Sequence, residues 1–255
     1  MISMAKERIL ITDLDGTFVK DSIKVIDEDK ESIQALKKTM KIGIATGRSI
    51  KEINFIENQA KIKADVLIGF NGAVVEIDGK RIFEEAIQKE SLEKVLAYIE
   101  EQEIIFDALD GEKRIGTHRS DEKSKLWNME LVEPENVFDS LLTKKIYKIN
   151  VRPEKGESDK ILSQLQRTFP ELAICKSGEQ RIEITPPGIT KGNAIEALKE
   201  KFDLTVISVG DSENDISMFD VSDHSFCMSH AADSVKKRAK KIINDFHEVN
   251  QWVGG

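Results

Sequence analysis

The chain reads as an α/β protein: a Rossmann-like core on a parallel sheet, with a separate α+β segment inserted into it. Three observations predict this. Short unbroken apolar runs alternate with amphipathic helical stretches over the first third of the chain and again over the last, and strands buried on both faces of a parallel sheet carry such runs. Between those regions the alternation gives way to turn-linked strands and helices in a different order, the pattern of an α+β unit. The length of 255 residues also exceeds what one small core absorbs.

The elements follow in order. Residues 8–12 read as strand, 27–40 as a helix with Ile33 and Leu36 inward, 41–45 as strand, 49–59 as helix and 66–70 as strand. Ile77-Asp78-Gly79-Lys80-Arg81-Ile82, with Asp-Gly at its turn, predicts a hairpin. The character then changes: helix 91–101, strand 104–109 entering the turn Asp110-Gly111, helix 135–142, strand 145–151, helix 158–169, and strands 172–176 and 181–185. Pro186-Pro187-Gly188 marks the return crossing. Helix 191–201, strand 205–209, short helix 215–219, strand 225–228, helix 233–240 and the apolar run 241–243 complete the chain. The predicted division is a core of residues 1–83 and 187–255 and an insert of residues 84–186. No internal repeat or low-complexity tract stands out.

Composition narrows the class. Charged residues at 33% and hydrophobic ones at 40% are ordinary for a soluble globular chain. A net charge of −8 opposes a nucleic-acid surface, and Lys236-Lys237-Arg238 with Lys240-Lys241 reads as a solvated helix face. Cys175 and Cys227 have no zinc-site spacing and lie too far apart in sequence to suggest a disulfide framework; buried thiols in a reducing cytoplasm are expected. No apolar stretch approaches the ~20 residues of a membrane span, and the first eight residues lack an apolar export core. A cytoplasmic protein with neither membrane nor nucleic-acid partners is expected.

Asp13 and Asp15 follow the run Ile9-Leu10-Ile11, within Asp13-Leu14-Asp15-Gly16-Thr17. Two carboxylates so close raise each other's proton affinity unless a cation or a reaction employs them. At the carboxyl end of a parallel strand, where open α/β sheets bind ligands, one carboxylate can attack phosphorus and the other can move protons. Gly16 permits a tight turn, and Thr17 is placed to bond the nucleophile or its loop; a solvated acidic turn is the plainer alternative. Thr46-Gly47-Arg48 follows the strand 41–45, so a hydroxyl and exposed N–H groups can meet an anion there. Helix N-capping by Thr46 fits as well, and Arg48 fits either a salt bridge or a substrate contact. Lys191 opens a helix after Pro187-Gly188-Ile189-Thr190. Its charge opposes the helix dipole yet suits a phosphoryl oxygen and crowded aspartates; a surface lysine is the alternative. Gly210-Asp211-Ser212-Glu213-Asn214-Asp215 follows the strand 205–209 and repeats the logic of Asp13, although an acidic turn starting a helix would look similar. Oxygens of Asp13 and Asp211 and the Asp15 carbonyl would suit Mg²⁺. Asp215 would bind it directly or orient a metal-bound water, and Asn214 could donate to phosphate.

Taken together and in this order, Asp13-x-Asp15-Gly-Thr, Thr46-Gly-Arg48, Lys191-Gly and Gly210-Asp211-x-x-Asn214-Asp215 resemble the haloacid dehalogenase-like (HAD) hydrolase superfamily. Some 110–120 residues separate Asn71-Gly72-Ala73 from Lys191, which resembles the large C2B cap of the Cof-type subfamily. Ile68-Gly69-Phe70-Asn71-Gly72-Ala73 and Cys227-Met228-Ser229-His230-Ala231 resemble two further elements of that subfamily, so the likeness runs through essentially the whole chain. It implies a Mg²⁺-dependent phosphatase of small phosphorylated metabolites, sugar phosphates foremost, working through an aspartyl-phosphate. Asp13 would be the nucleophile and Asp15 the general acid/base. Thr46, Gly47, Arg48, Asn71, Lys191 and Asn214 would hold substrate and phosphate. Asp13, Asp15, Asp211 and Asp215 would form the Mg²⁺ site.

Ser229-His230 departs from the subfamily's usual Gly-Asn, so His230 could contact a substrate; Phe18 stands where leucine is common, without functional weight. Within the insert, His118, Arg119, Lys125, Trp127 and Arg181 are candidates for a leaving-group pocket, although each also fits an ordinary surface or core position. A hairpin turned at Gly178 would bring Glu179 and Arg181 to the active site. A phosphomutase on the same scaffold and a non-catalytic phosphometabolite-binding regulator are the alternatives, and monomer or dimer stays open.

Overall fold

β1 (Glu7–Thr12) carries Ile9, Leu10 and Ile11, all fully buried, and a strand with no solvent-facing side belongs inside a parallel sheet. A computed structural model, describing residues 6–120 and 123–253, places it there; Met1 to Ala5, read above for an export signal, lie outside those residues. α1 (Asp27–Leu36) leads to β2 (Lys41–Ala45), and α2 (Ile50–Ala60) to β3 (Val66–Gly69). A 3₁₀ turn, Phe70–Gly72, then reverses the chain into β4 (Val74–Ile77) and β5 (Lys80–Glu84), both antiparallel to their neighbours. Asp78 and Gly79 take the positive φ angles, 49° and 74°, that suit a two-residue hairpin turn.

The middle of the chain builds a second sheet. It comprises α3 (Lys89–Glu101), β6 (Phe106–Leu109), β7 (Lys113–Gly116), β8 (Glu130–Val132), α4 (Val137–Leu142), β9 (Lys148–Val151), α5 (Ser158–Thr168), β10 (Ala173–Gly178) and β11 (Arg181–Thr185). The chain then returns through α6 (Lys191–Lys201), β12 (Leu204–Gly210), α7 (Ile216–Val221), β13 (His224–Met228), α8 (Asp233–Lys236), β14 (Lys241–Ile243) and α9 (Asn250–Val253). The larger sheet has the order β14-β13-β12-β1-β2-β3-β4-β5, and the smaller β10-β11-β9-β6-β7-β8. The smaller sheet packs one face on its helices: Val95, Ile99, Phe106, Leu141, Ile149, Leu165, Ile182 and Ile184 share one buried cluster.

Register decides where the motifs meet. Thr12 lies opposite both Val209 and Ile44, and Ala45 opposite Ile68. The residues that follow these positions, from Asp13, Thr46, Gly69 and Gly210 onward, therefore share one edge of the larger sheet, its carboxyl end.

Several elements differ from the sequence reading. The helix read over 27–40 ends at Leu36, because the N–H groups of Lys38 and Thr39 donate three residues back, at 3.2 and 2.9 Å. That tightened turn buries Met40 just before β2. The helix read over 233–240 ends at Lys236 for the same reason, with Arg238 and Ala239 bonding Val235 and Lys236. β6 and β9 are shorter than the strands read for them, and β8, three residues long, was not read. Neither was the C-terminal 3₁₀ turn Phe246–Val249 with α9, held by Phe246, Val249 and Val253 in the core. Both cysteines are free thiols. Arg238 pairs with Asp220 and Lys236 with Asp233. Lys236 alone of the basic run lies on the helix, however, and Lys241 opens β14, so the helix face read for these residues is not formed. Among the described residues no helix is long and apolar enough to cross a membrane.

Candidate active site

The Asp13 N–H continues the β1 ladder by donating to the Val209 carbonyl at 2.9 Å, which fixes its carboxylate beside the end of β12. Lys191, fully buried in the first turn of α6, donates to Asp13 Oδ1 at 2.7 Å and to Asp215 Oδ1 at 2.6 Å. The surface-lysine alternative is thereby excluded. Thr190 caps α6 by accepting from the Asn193 N–H. The other Asp215 oxygen accepts from the N–H groups of Asp211 and Ser212, both at 2.9 Å. Carboxylate oxygens of Asp13, Asp211 and Asp215 all lie within 4.8 Å of one another. Gly16, at φ +82°, brings the chain so close that a Cβ would stand 2.6 Å from Asp211 Oδ2. The Thr17 hydroxyl donates to Asp211 Oδ1 at 2.9 Å, while its N–H donates to the Leu14 carbonyl at 3.2 Å within its own loop.

Burial pushes the Asp13 carboxyl up; Lys191 opposes this, while Asp215 and Asp211 add to it. Asp215 is likewise pushed up by burial, against Lys191. Burial alone would lower Lys191, but the two aspartates outweigh it and hold the ammonium charged. One ammonium is therefore shared by two buried carboxylates, with the Asp211 carboxylate beside them. Such a set of hard oxygens fits a divalent cation of the Mg²⁺ type, which would remove the remaining repulsion.

Asp15 is oriented separately. Arg48 grips it with two bonds, Nε to Oδ2 at 2.8 Å and Nη2 to Oδ1 at 2.7 Å. Burial raises the Asp15 carboxyl, but Arg48 outweighs that and holds it well below the usual carboxylate range. Arg48 also bonds buried Glu52 at 2.9 Å and the Lys125 carbonyl at 2.7 Å, and its guanidinium stacks 3.8 Å from the Trp127 ring. The salt-bridge alternative for Arg48 is thus realised. Ser49, not Thr46, caps α2 in a capping box with Glu52, which leaves the Thr46 hydroxyl accepting only a 3.2 Å bond from the Arg48 N–H.

The smaller sheet closes over this edge. Glu183 on β11 accepts from Lys148 of β9 at 2.7 Å and from Asn71 Nδ2 at 2.6 Å; Asn214 Nδ2 reaches Asn71 Oδ1 at 3.3 Å. Asn71 tolerates φ 58°, a conformation open to Asn and Gly. At Gly47 an added Cβ would meet Glu183 Oε1 at 2.7 Å, so a larger residue there would displace the Glu183 carboxylate. Arg114 of β7 bonds Glu52 at 2.7 Å and completes the seam. Burial raises Glu183, but Lys148 and Arg181 bring it down below the usual range.

What remains between the sheets is a cavity of about 40 Å³, far under the ~300–1,000 Å³ of ligand clefts. It is lined by Asp13, Asp15, Thr46, Gly47, Arg48, Ser212 and Asn214 below, with Arg114, Lys148, Ser177, Arg181 and Glu183 above. A wider cleft of about 580 Å³, beside Phe55 and Tyr147, holds none of the four motifs. Of the insert candidates, Arg181 alone lines the site. Arg119 pairs outward with Glu133, Glu179 is exposed on its turn, His118 is half-buried away from the lining, and Trp127 is buried against Arg48 with its Nε1 donating to the Ser22 carbonyl. His230 Nε2 stands 3.5 Å from Asp211 Oδ2. Sequence reasoning missed Arg114, Lys148, Ser177 and Glu183. The signal was available in Lys148-Ile-Asn150-Val-Arg152 and Arg181-Ile-Glu183-Ile, where a polar side chain at every second position gives each strand a charged face.

Comparison with known proteins agrees. A family model described as haloacid dehalogenase-like hydrolase matches residues 10–250. The 5-amino-6-(5-phospho-D-ribitylamino)uracil phosphatase YcsE of Bacillus subtilis (strain 168) is 26% identical, over 96% of each chain. YwtE of the same organism, bearing the same phosphatase name, is 24% identical over 96% of each. Among solved structures, the HAD subclass IIB sugar phosphatase BT4131 has a TM-score of 0.80 at 21% identity, covering 97% of this chain and 99% of that one; at that identity the likeness concerns the fold.

Proposed function

The chain belongs to the haloacid dehalogenase-like hydrolase family, in its Cof-type branch, and on that premise we propose a Mg²⁺-dependent phosphatase of small phosphorylated metabolites, sugar phosphates first among them. Residues 1–83 and 187–255 form the catalytic core in this reading, and residues 84–186 a cap that selects the leaving group. The observation that carries it is the convergence of Asp13, Lys191, Asp211 and Asp215 on one strand edge, beside Asp15 and beneath a wall of cations. The two free thiols suit a cytoplasmic setting.

Asp13 attacks phosphorus and becomes the aspartyl-phosphate, and the P–O bond to the leaving group breaks. Lys191, already on Asp13, steadies the transferring oxygens together with the Thr46 hydroxyl and Asn214. Asp15 hands a proton to the departing oxygen and later takes one from the attacking water. Held ionised by Arg48 in the closed state, it requires that grip to loosen as substrate enters. Mg²⁺ held by Asp13, Asp211 and the Asp15 carbonyl, with Asp215 in support, would supply charge neutralisation. The small closed cavity means the cap lifts to admit substrate and product exchange.

The test is phosphate release from a panel of phosphorylated metabolites, with Mg²⁺ or with chelator. Release that needs metal is expected. Substrate isomerisation without free phosphate would replace hydrolysis by a mutase reaction; no reaction, with binding retained, would replace it by a regulatory role.

A further inference from the structure

Five cations and four carboxylates meet in the seam between the two sheets. Arg48 is held by Asp15 and Glu52, Arg114 by Glu52 and Asp107, Arg152 by Asp107, and Lys148 by Glu183. The exception is Arg181. Among the described residues its side chain makes no ion pair or hydrogen bond, and its Nε is buried with no acceptor. It lines the cavity together with Asp15 and Glu183.

Other unsatisfied atoms surround the same space. Arg114 Nε, Ser177 Oγ and Asn214 Oδ1 are also buried without partners, and all three residues line the cavity with Arg181. Three of the four atoms can donate, and three come from the smaller sheet. Buried donors left unpaired are costly, and an uncompensated charge more so. The hydroxyls of a neutral sugar would satisfy the donors yet leave the Arg181 charge unbalanced as the site closes. An anion would answer both needs.

We propose, building on the phosphatase reading above, that Arg181 with Ser177 forms a subsite for a second anionic group, so that the preferred substrates are phosphomonoesters whose leaving group carries a carboxylate or another phosphate. The subsite lies on the Asp15 side, where the leaving oxygen departs, and so reads the leaving group and not the transferred phosphoryl group. Glu183 does not repel the incoming anion strongly, because Lys148 and Asn71 already occupy both its oxygens.

Matched open-chain pairs in which a carboxylate replaces a terminal hydroxymethyl group test this: gluconate 6-phosphate against glucitol 6-phosphate, and 3-phosphoglycerate against glycerol 3-phosphate. The expected result is a kcat/KM at least about tenfold higher for the carboxylate member of one pair, carried mainly by KM. Arg181→Gln should bring that ratio close to one, and Arg181→Lys should keep part of it. Because Arg181 has no protein partner, its replacement strands no opposite charge and the fold should survive. Equal kcat/KM within both pairs, alongside ready hydrolysis, would overturn the subsite and leave the phosphatase reading standing. If no pair is hydrolysed, the phosphatase reading loses its support, and calorimetry on Asp13→Asn decides the subsite alone. Tighter binding of the carboxylate member, abolished by adding Arg181→Gln, would uphold it; indifferent binding would overturn it.

Discussion

The two sheets face one cavity with opposite charge and by different means. The larger sheet presents strand ends: Asp13, Thr46 and Asp211 each sit just past a buried parallel strand, and their backbones are fixed by its ladder. The smaller sheet presents a strand face, with Arg114, Lys148, Arg181 and Glu183 pointing from antiparallel strands whose other side packs on helices. Strand ends hold geometry to the precision of a hydrogen-bond ladder, which phosphoryl transfer needs. A strand face can exchange one side chain at a time without disturbing its ladder, which suits the selection of leaving groups.

The sharpest way to break this contrast is Asp13→Asn. Phosphate release should fall by a factor on the order of 10³ or more with an unchanged far-UV circular dichroism spectrum; retained turnover would remove the larger sheet from the chemistry. Lys191→Met comes next. It strips the buried ammonium from Asp13 and Asp215 and should cost about 3–5 kcal/mol in urea unfolding, as well as activity. An unchanged midpoint would mean that these two carboxylates do not depend on it.

Glu52 joins the two sheets, and its effect is read through pH. Burial raises its carboxyl, yet Arg114 and Arg48 overcome this and bring it down to about 2, from 4.5 ordinarily. A depressed value stabilises the fold above the unfolded-state pKa, near 4.5, and that contribution is lost as pH falls through about 2. It amounts to on the order of 3 kcal/mol at neutral pH. Unfolding midpoints of wild type and Glu52→Gln should therefore lie well apart at pH 6 and converge towards pH 2; parallel curves would show that Glu52 is not the seam's anchor. The smallest effect is expected of Trp127→Phe, which loses the bond to the Ser22 carbonyl and should cost about 1 kcal/mol. A much larger loss would give the Trp127 stack on Arg48 a greater share in holding the sheets together.

The sequence by itself determined the parallel core and the edge proposed to be catalytic. Runs such as Ile9-Leu10-Ile11 specify strands buried on both faces, and the residue that ends such a strand must stand at the sheet's carboxyl edge whatever the rest of the chain does. Asp13 and Asp211 were legible for that reason, and Lys191 and Asp215 from the short motifs at the helix starts that carry them. Only the tertiary structure decided which side chains meet across the seam. Arg48 turning to Asp15, Ser49 taking the cap that Thr46 could have taken, and Glu183 reaching Gly47 and Asn71 all depend on one sheet closing over the other. The polar alternation of β9 and β11 was present in the sequence, but alternation says only that one face is polar. Whether that face meets water or a catalytic edge depends on long-range docking between segments more than a hundred residues apart, to which local pattern carries no clue.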